Sequence, residues 1–210
     1  MKDRPIIEAT LENVEALIDI LLDNDILKGI PVVGTAIKCL KGAEDIRDRL
    51  FAAKLSSFLK SLENVGPELK EKIRQRVAED PDQSRKVGET ILLVIDRLAD
   101  LEKSDIIAKI FIAYAFGYLK PNDFQRIVQA VDQAFIADLK LFLASHNLLK
   151  KGLSQEVFLQ ALYPSGLTEI VGGKTFDTAG EIYFKVSKLG NQLINAFNHG
   201  NKLSQQDRCT

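Results

Sequence analysis

The chain carries little with which to do chemistry. Its only histidines are His146 and His199, and its only cysteines are Cys39 and Cys209. Each histidine falls near a predicted helix end among polar residues, where an imidazole suits a helix C-terminus better than metal ligation or proton transfer. The cysteines stand far apart in sequence, one in an apolar segment and the other in a polar one. They form neither a disulfide framework nor a metal-ligand pattern, and they fit a reducing cytosol. No serine or cysteine has a visible histidine partner to activate it. Asp96, Asp100, Glu102 and Asp105 gather around a predicted helix junction, but Arg97 and Lys103 interleave them, and the group reads as a solvated connection rather than an acid–base pair. Gly29 and Gly34, followed by Thr35, have the glycine spacing of a phosphate-binding loop. The lysine that should stand between Gly34 and Thr35 is missing and no strand precedes the loop, so a helix–helix turn is the better reading. The expectation is a protein that is not an enzyme, with no catalytic, cofactor-binding or metal-ligating residue and no cofactor.

The elements around these residues are predominantly helical. Ile106 to Leu119 is apolar almost all the way round a helical wheel, and such a helix must be buried on every side. Ser104 and Asp105 are placed to cap it, and Pro121 to stop it by disfavouring helical geometry at Lys120. The remaining helices are one-sided. Leu11, Val14, Leu17, Ile18 and Leu21 share a face after a Thr10 cap, and Ile26 to Leu40 forms a second apolar stretch. A long helix from about Thr35 to Asn64 has the stripe Ile46, Leu50, Phe51, Leu55, Phe58, Leu59 and Leu62. A charged helix from Pro67 to Ala78 carries the narrow line Leu69, Ile73 and Val77. Asp80 to Ser84 reads as a loop that also starts a helix, which repeats Val87, Ile91, Val94, Leu98 and Leu101 at bundle spacing. One further helix places Phe124, Ile127, Val128, Val131, Phe135, Ile136, Leu139 and Phe142 on a broad face.

Beyond Asn147 the texture changes. Ser154 caps a short helix with Val157, Phe158, Ala161 and Leu162, which stops at Pro164 to Gly166. Leu167 to Val171 and Glu181 to Val186 read as two strands, the second with Ile182, Phe184 and Val186 on one face, joined by a loose hairpin containing Gly172, Gly173 and Lys174. Ser187 opens a last helix from Leu189 to Phe197. The fold class expected is mainly α: a bundle of about six helices over residues 1–147, a small α+β unit with one β-hairpin over 148–198, and a flexible tail over 199–210.

Composition bounds the function classes. With 28 basic and 29 acidic side chains the formal net charge is −1. No global field therefore attracts nucleic acid or anionic lipid, and such affinity would need a local patch. The first residues, Met1 to Glu8, meet acidic side chains before any long apolar run, which argues against a signal peptide, and a cytoplasmic location is expected. The two apolar segments are shorter than the roughly twenty residues needed to cross hydrocarbon, and lysines interrupt both.

The order helix, Leu162 to Leu167, strand, turn, strand, then Val186 to Ile194 resembles the C-terminal half of a winged-helix domain, over roughly a quarter of the chain. That resemblance implies a DNA-reading third helix and a wing, with Lys174, Phe176 and Lys185 as candidate wing contacts. The third helix here offers Gln155, Glu156 and Gln160 but no Arg or Lys, so few phosphate contacts are at hand. In addition, Ile30 to Gly34, Ile46 to Phe51, Lys54, Leu55, Phe58 and Leu59 look like small bacterial helical proteins found near mobile elements and phage-defence genes. The leading expectation is a protein-interaction module, a regulator or effector in a bacterial stress or phage-defence system with a protein partner. The alternatives are a helical effector that disrupts membranes when triggered and a winged-helix DNA-binding regulator. Self-association into a homo-oligomer is compatible with each.

Overall fold

The computed structural model describes residues 46–63, 65–145, 155–172 and 181–206. The expected helix after Thr10, the apolar stretch Ile26 to Leu40, the Ser154 cap, Cys39, Cys209, His146, Lys174 and Phe176 lie outside the described residues. So do the side chains of Ile46, Leu69 and Val77. Within the described residues the protein is mainly helical with one small antiparallel hairpin.

The helices in chain order are α1 (Ile46–Glu63), α2 (Pro67–Glu79), α3 (Pro81–Arg97), α4 (Glu102–Ala115), α5 (Pro121–Gln133), α6 (Ile136–Ala144) and α7 (Val157–Ala161). Strands β1 (Thr168–Gly172) and β2 (Ile182–Val186) follow, and then α8 (Lys188–Gln206). Proline stands at the first helical positions of α2, α3 and α5, where its missing N–H costs nothing. The predicted loop over Asp80 to Ser84 is a single residue: Asp80 caps α3 by accepting from the Gln83 N–H at 2.9 Å.

Helix α4 is the axis. Ile106, Ile107, Ala108, Ile110, Phe111, Ile112, Ala113, Tyr114 and Ala115 are all buried, as the unbroken apolar wheel requires. Helices α8 and α1 pack along it most extensively, with α5 and α2 on further sides. Both of its ends differ from expectation. The helix already begins at Glu102, and Ser104 is buried inside it, its hydroxyl without a partner among the described residues. It stops at Ala115, before the proline, because Gly117 at φ 75° reverses the chain. The Gly117 N–H donates to the Tyr114 carbonyl at 2.8 Å and the Tyr118 N–H to the Ala113 carbonyl at 3.0 Å, which satisfies the terminal carbonyls of the helix.

The helix expected to run from Phe124 through Phe142 is two. Ala134 and Phe135 are extended, at ψ 141° and 133°, and separate α5 from α6. Phe135 is thereby turned out to solvent while Phe124, Ile127, Val128, Val131, Leu139 and Phe142 stay buried. Lys103, almost completely buried on α4, reaches this break, where its Nζ donates to the Asp132 carbonyl oxygen at 2.9 Å. It satisfies an acceptor in the last turn of α5 that has no helical partner of its own. Burial holds the Lys103 ammonium below the ordinary lysine range, with Asp100 and Asp132 pulling the other way.

The largest departure is at the C-terminal side. Helix α8 does not end at Phe197 but continues to Gln206, through residues expected to form a flexible tail. It can do so because Gly200 lets it lie directly on α4: a Cβ there would stand 1.9 Å from the Lys109 carbonyl oxygen. Gly190 does the same at the other end, where a Cβ would meet the Leu167 carbonyl oxygen at 2.1 Å. His199 stacks on Tyr118, ring centroids 4.7 Å apart, and Leu203 packs against the core. Among the described residues one hydrophobic cluster runs from α1 through α4 and α5 to Leu159, Leu162, Leu167, Phe184 and α8.

Candidate functional site

The residues singled out for chemistry do not converge. Asp96 faces α1, where Arg47 lies 3.5 Å from its carboxylate and the Lys54 Nζ donates to its backbone carbonyl at 2.9 Å. Asp105 accepts from the Ser61 hydroxyl at 2.8 Å and the Lys109 ammonium at 2.6 Å, tying α4 to α1. Glu102 pairs with Lys140 of α6. Each carboxylate thus serves a different helix contact. Among the described residues no group of three or more His, Cys, Asp or Glu side chains is placed to hold a metal ion. His199 lies on α8 in its stack with Tyr118, away from these carboxylates.

Two of the concavities are lined by described residues. One, of about 510 Å³, lies where α1, α4, α6 and α8 meet, with an apolar floor that includes Ile106, Leu143 and Phe197. Its rim carries Glu102, Asp105 and Lys140, which are engaged in the ion pairs just described. The second, of about 470 Å³, is a cleft between α7 with the turn after it and the hairpin, lined by Gln155, Gln160, Tyr163, Ile170, Ile182 and Phe184.

The second cleft follows from how the hairpin is built. The strands pair antiparallel with Thr168 opposite Val186, Ile170 opposite Phe184 and Gly172 opposite Ile182, and alternation places these six on one face. The base of that face enters the core, where Thr168 and Phe184 are buried. Further along, no described residue covers the same apolar face: Ile170 is 48% exposed and Ile182 57%. On the facing wall Tyr163 is 47% exposed. Val157 and Ala161, expected on the buried face of this helix, point outward, and Leu159 and Leu162 are the residues that enter the core.

Three hydroxyls bond to backbone carbonyls in α7 and the turn that leads from it into the hairpin. The Thr168 hydroxyl donates to the Leu159 carbonyl at 2.7 Å, the Ser165 hydroxyl to the Leu162 carbonyl at 2.7 Å, and the Ser187 hydroxyl to the Gly166 carbonyl at 2.6 Å. Ser187 also caps α8 by accepting from the Gly190 N–H at 3.0 Å. Of the candidate wing contacts only Lys185 is described. It lies on the opposite face of the hairpin, where its ammonium is 2.7 Å from the Glu169 carboxylate. A lysine paired in this way has its charge already matched.

Sequence reading missed Tyr163 and Ile170 as candidate contacts, and treated Ile182 only as part of an apolar strand face. For Ile182 the one signal was that alternation, which does not tell whether another element covers the face. Compared with models of protein families, with curated proteins and with solved structures, the chain finds no match. The class that the coordinates define is a helical bundle carrying a small α+β unit.

Proposed function

We propose that the chain is a non-enzymatic protein-interaction module that docks a protein surface in the cleft between α7 and the hairpin. The observation that carries this reading is the bare apolar lining. Tyr163, Ile170 and Ile182 are exposed around one concavity, whose two walls are joined by the bond from the Thr168 hydroxyl to the Leu159 carbonyl. Grouped apolar exposure beside a formed cleft is the signature of a binding surface, whereas scattered apolar side chains are ordinary. The resemblance of the N-terminal part to helical proteins encoded near phage-defence genes supports a regulator or effector role in the bacterial cytoplasm. DNA binding through the hairpin is the weaker reading, because Lys185 is paired with Glu169 and the cleft is lined by apolar and amide groups. For the membrane alternative, no helix among the described residues is long and apolar enough to cross a bilayer, and α4 is enclosed by its neighbours.

The test is capture from host extract with the tagged chain, its Tyr163→Lys variant and a Leu93→Lys control on exposed α3 surface. A protein retained by the parent and the control but lost with Tyr163→Lys supports the module. Catalytic turnover by the purified chain, or retention indifferent to Tyr163, overturns it.

A further inference from the structure

From Phe124 to Ala144 the chain contains no glycine, proline, serine, threonine or asparagine, and alanine, the best helix former, stands at position 134. Val128, Val131, Phe135, Leu139 and Phe142 keep helical spacing through the whole stretch. Local preference therefore dictates one helix, yet Ala134 and Phe135 are extended and separate α5 from α6. A conflict of this kind between local preference and fold marks a strained or functional place.

The strain is visible on both sides of the break. Phe135 is 65% exposed, whereas a continuous helix would put it on the face of Val131 and Leu139, both of which are buried. The Asp132 carbonyl, which a continuous helix would pair with the Ile136 N–H, takes the Lys103 ammonium of α4 instead. The break is thus held from outside, by Lys103 and by the packing of α6 on α7.

A single chain cannot straighten this joint and keep its core. Beyond it lie α6, α7, the hairpin and α8, and α8 packs on α4 and α5. Straightening carries these elements away and uncovers the faces of α4 and α5 on which α8 rests. The uncovered faces fit those of a second copy opened in the same way, since they are the faces that meet within one chain. Exchange between two copies therefore restores the native contacts away from the joint and adds the helical hydrogen bonds missing at it.

We propose that Ala134 and Phe135 form an exchange hinge, at which α5 and α6 join into one helix of about 36 Å while the part of the chain from Ile136 onward packs on a second copy, which returns its own. Opening breaks the core, so the closed monomer and the exchanged dimer interconvert slowly and their ratio is set while the chain folds.

Phe135→Pro separates the two forms. Proline fits the closed form, because φ at Phe135 is −69° and Ala134 before it is already extended, but it breaks a joined helix. Phe135→Ala removes the same exposed side chain and favours the helix. The full chain is unfolded in urea with reductant, refolded at about 10 µM and at about 500 µM, and diluted to one concentration for size exclusion with light scattering. The expected result is a dimer from the concentrated refold that survives dilution. Phe135→Pro yields about tenfold less dimer than Phe135→Ala, or lower still, and Phe135→Gly falls between them. Circular dichroism reports whether each variant folds, and the glycine variant stands in if the proline one does not. A parent that stays monomeric after refolding at either concentration, or a dimer that dissociates on dilution, overturns the proposal. So does a proline variant, or in its place a glycine variant, that dimerises to the same extent as Phe135→Ala.

Discussion

At the scale of single residues, two buried features decide more than any exposed charge. Lys103 is the clearer of them, since burial lowers its proton affinity while the Asp132 carbonyl and two nearby carboxylates hold its charge in place. A lysine lowered in the folded state binds its proton more weakly there than in the unfolded chain. Stability is therefore flat below the folded value and rises with pH from there to the ordinary lysine value of about 10.4. Urea unfolding across this alkaline window should show the stability difference between the parent and Lys103→Met shifting in the parent's favour as pH rises. The difference between the two cancels the opposite contribution of Tyr114, whose phenol burial raises and whose stabilisation is lost as pH climbs. Gly200 is the second feature. Gly200→Ala forces a methyl group into the Lys109 carbonyl and should cost about 2–4 kcal/mol in denaturant unfolding, because backbone on both sides must move.

At the scale of elements, the ends of helices are set by specific local chemistry. Gly117 closes α4 with a positive φ, and nothing lies within 4 Å of where its Cβ would be. Gly117→Ala should therefore cost only the conformational term, about 1 kcal/mol, and Gly117→Asn less, which thermal unfolding of the two variants can rank. The contrast with Gly200 separates a glycine needed for its backbone from one needed for lack of a side chain. Most helices were legible because their apolar spacing is regular: Val87, Ile91, Val94 and Leu98 are all buried as their period implies. Leu101 and Leu50 follow the same spacing and are about half or more exposed, since periodicity records a possible face and not whether another element covers it. The interruption at Ala134 and Phe135 has no breaker residue. An alternating reading of the same apolar face could not reveal it, because the turn is held by Lys103 from another helix.

For the whole molecule, the consequence is one core. Helix α8 packs on α4, α5 and β2, and the hairpin and α7 feed Phe184, Leu159 and Leu162 into the same cluster. The chain should unfold in a single transition, with near- and far-ultraviolet circular dichroism coinciding. Two separate transitions would show instead that the α+β unit is energetically independent of the bundle. A chain truncated after Asn198 loses the His199 stack, the Gly200 contact and Leu203, and should lose about 2–5 kcal/mol or fail to fold. A flexible tail would leave stability unchanged. The polar look of that segment misled because a helix resting on another through glycine needs little apolar surface of its own: the close approach of the backbones supplies the contact.

The sequence by itself determined the helical class, the enclosed α4, the hairpin and its apolar face, because each rests on local periodicity and on capping or turn residues that act within a few positions. Tertiary structure alone decided which apolar faces are covered. Ile170, Ile182 and Tyr163 are chemically indistinguishable in sequence from residues of the core, and they become a candidate binding surface only because no described residue covers them. The same holds for the carboxylates around Glu102, neighbours along the chain that the fold directs to different partners. Burial and charge pairing depend on what lies opposite, and that is set by contacts between residues distant in sequence.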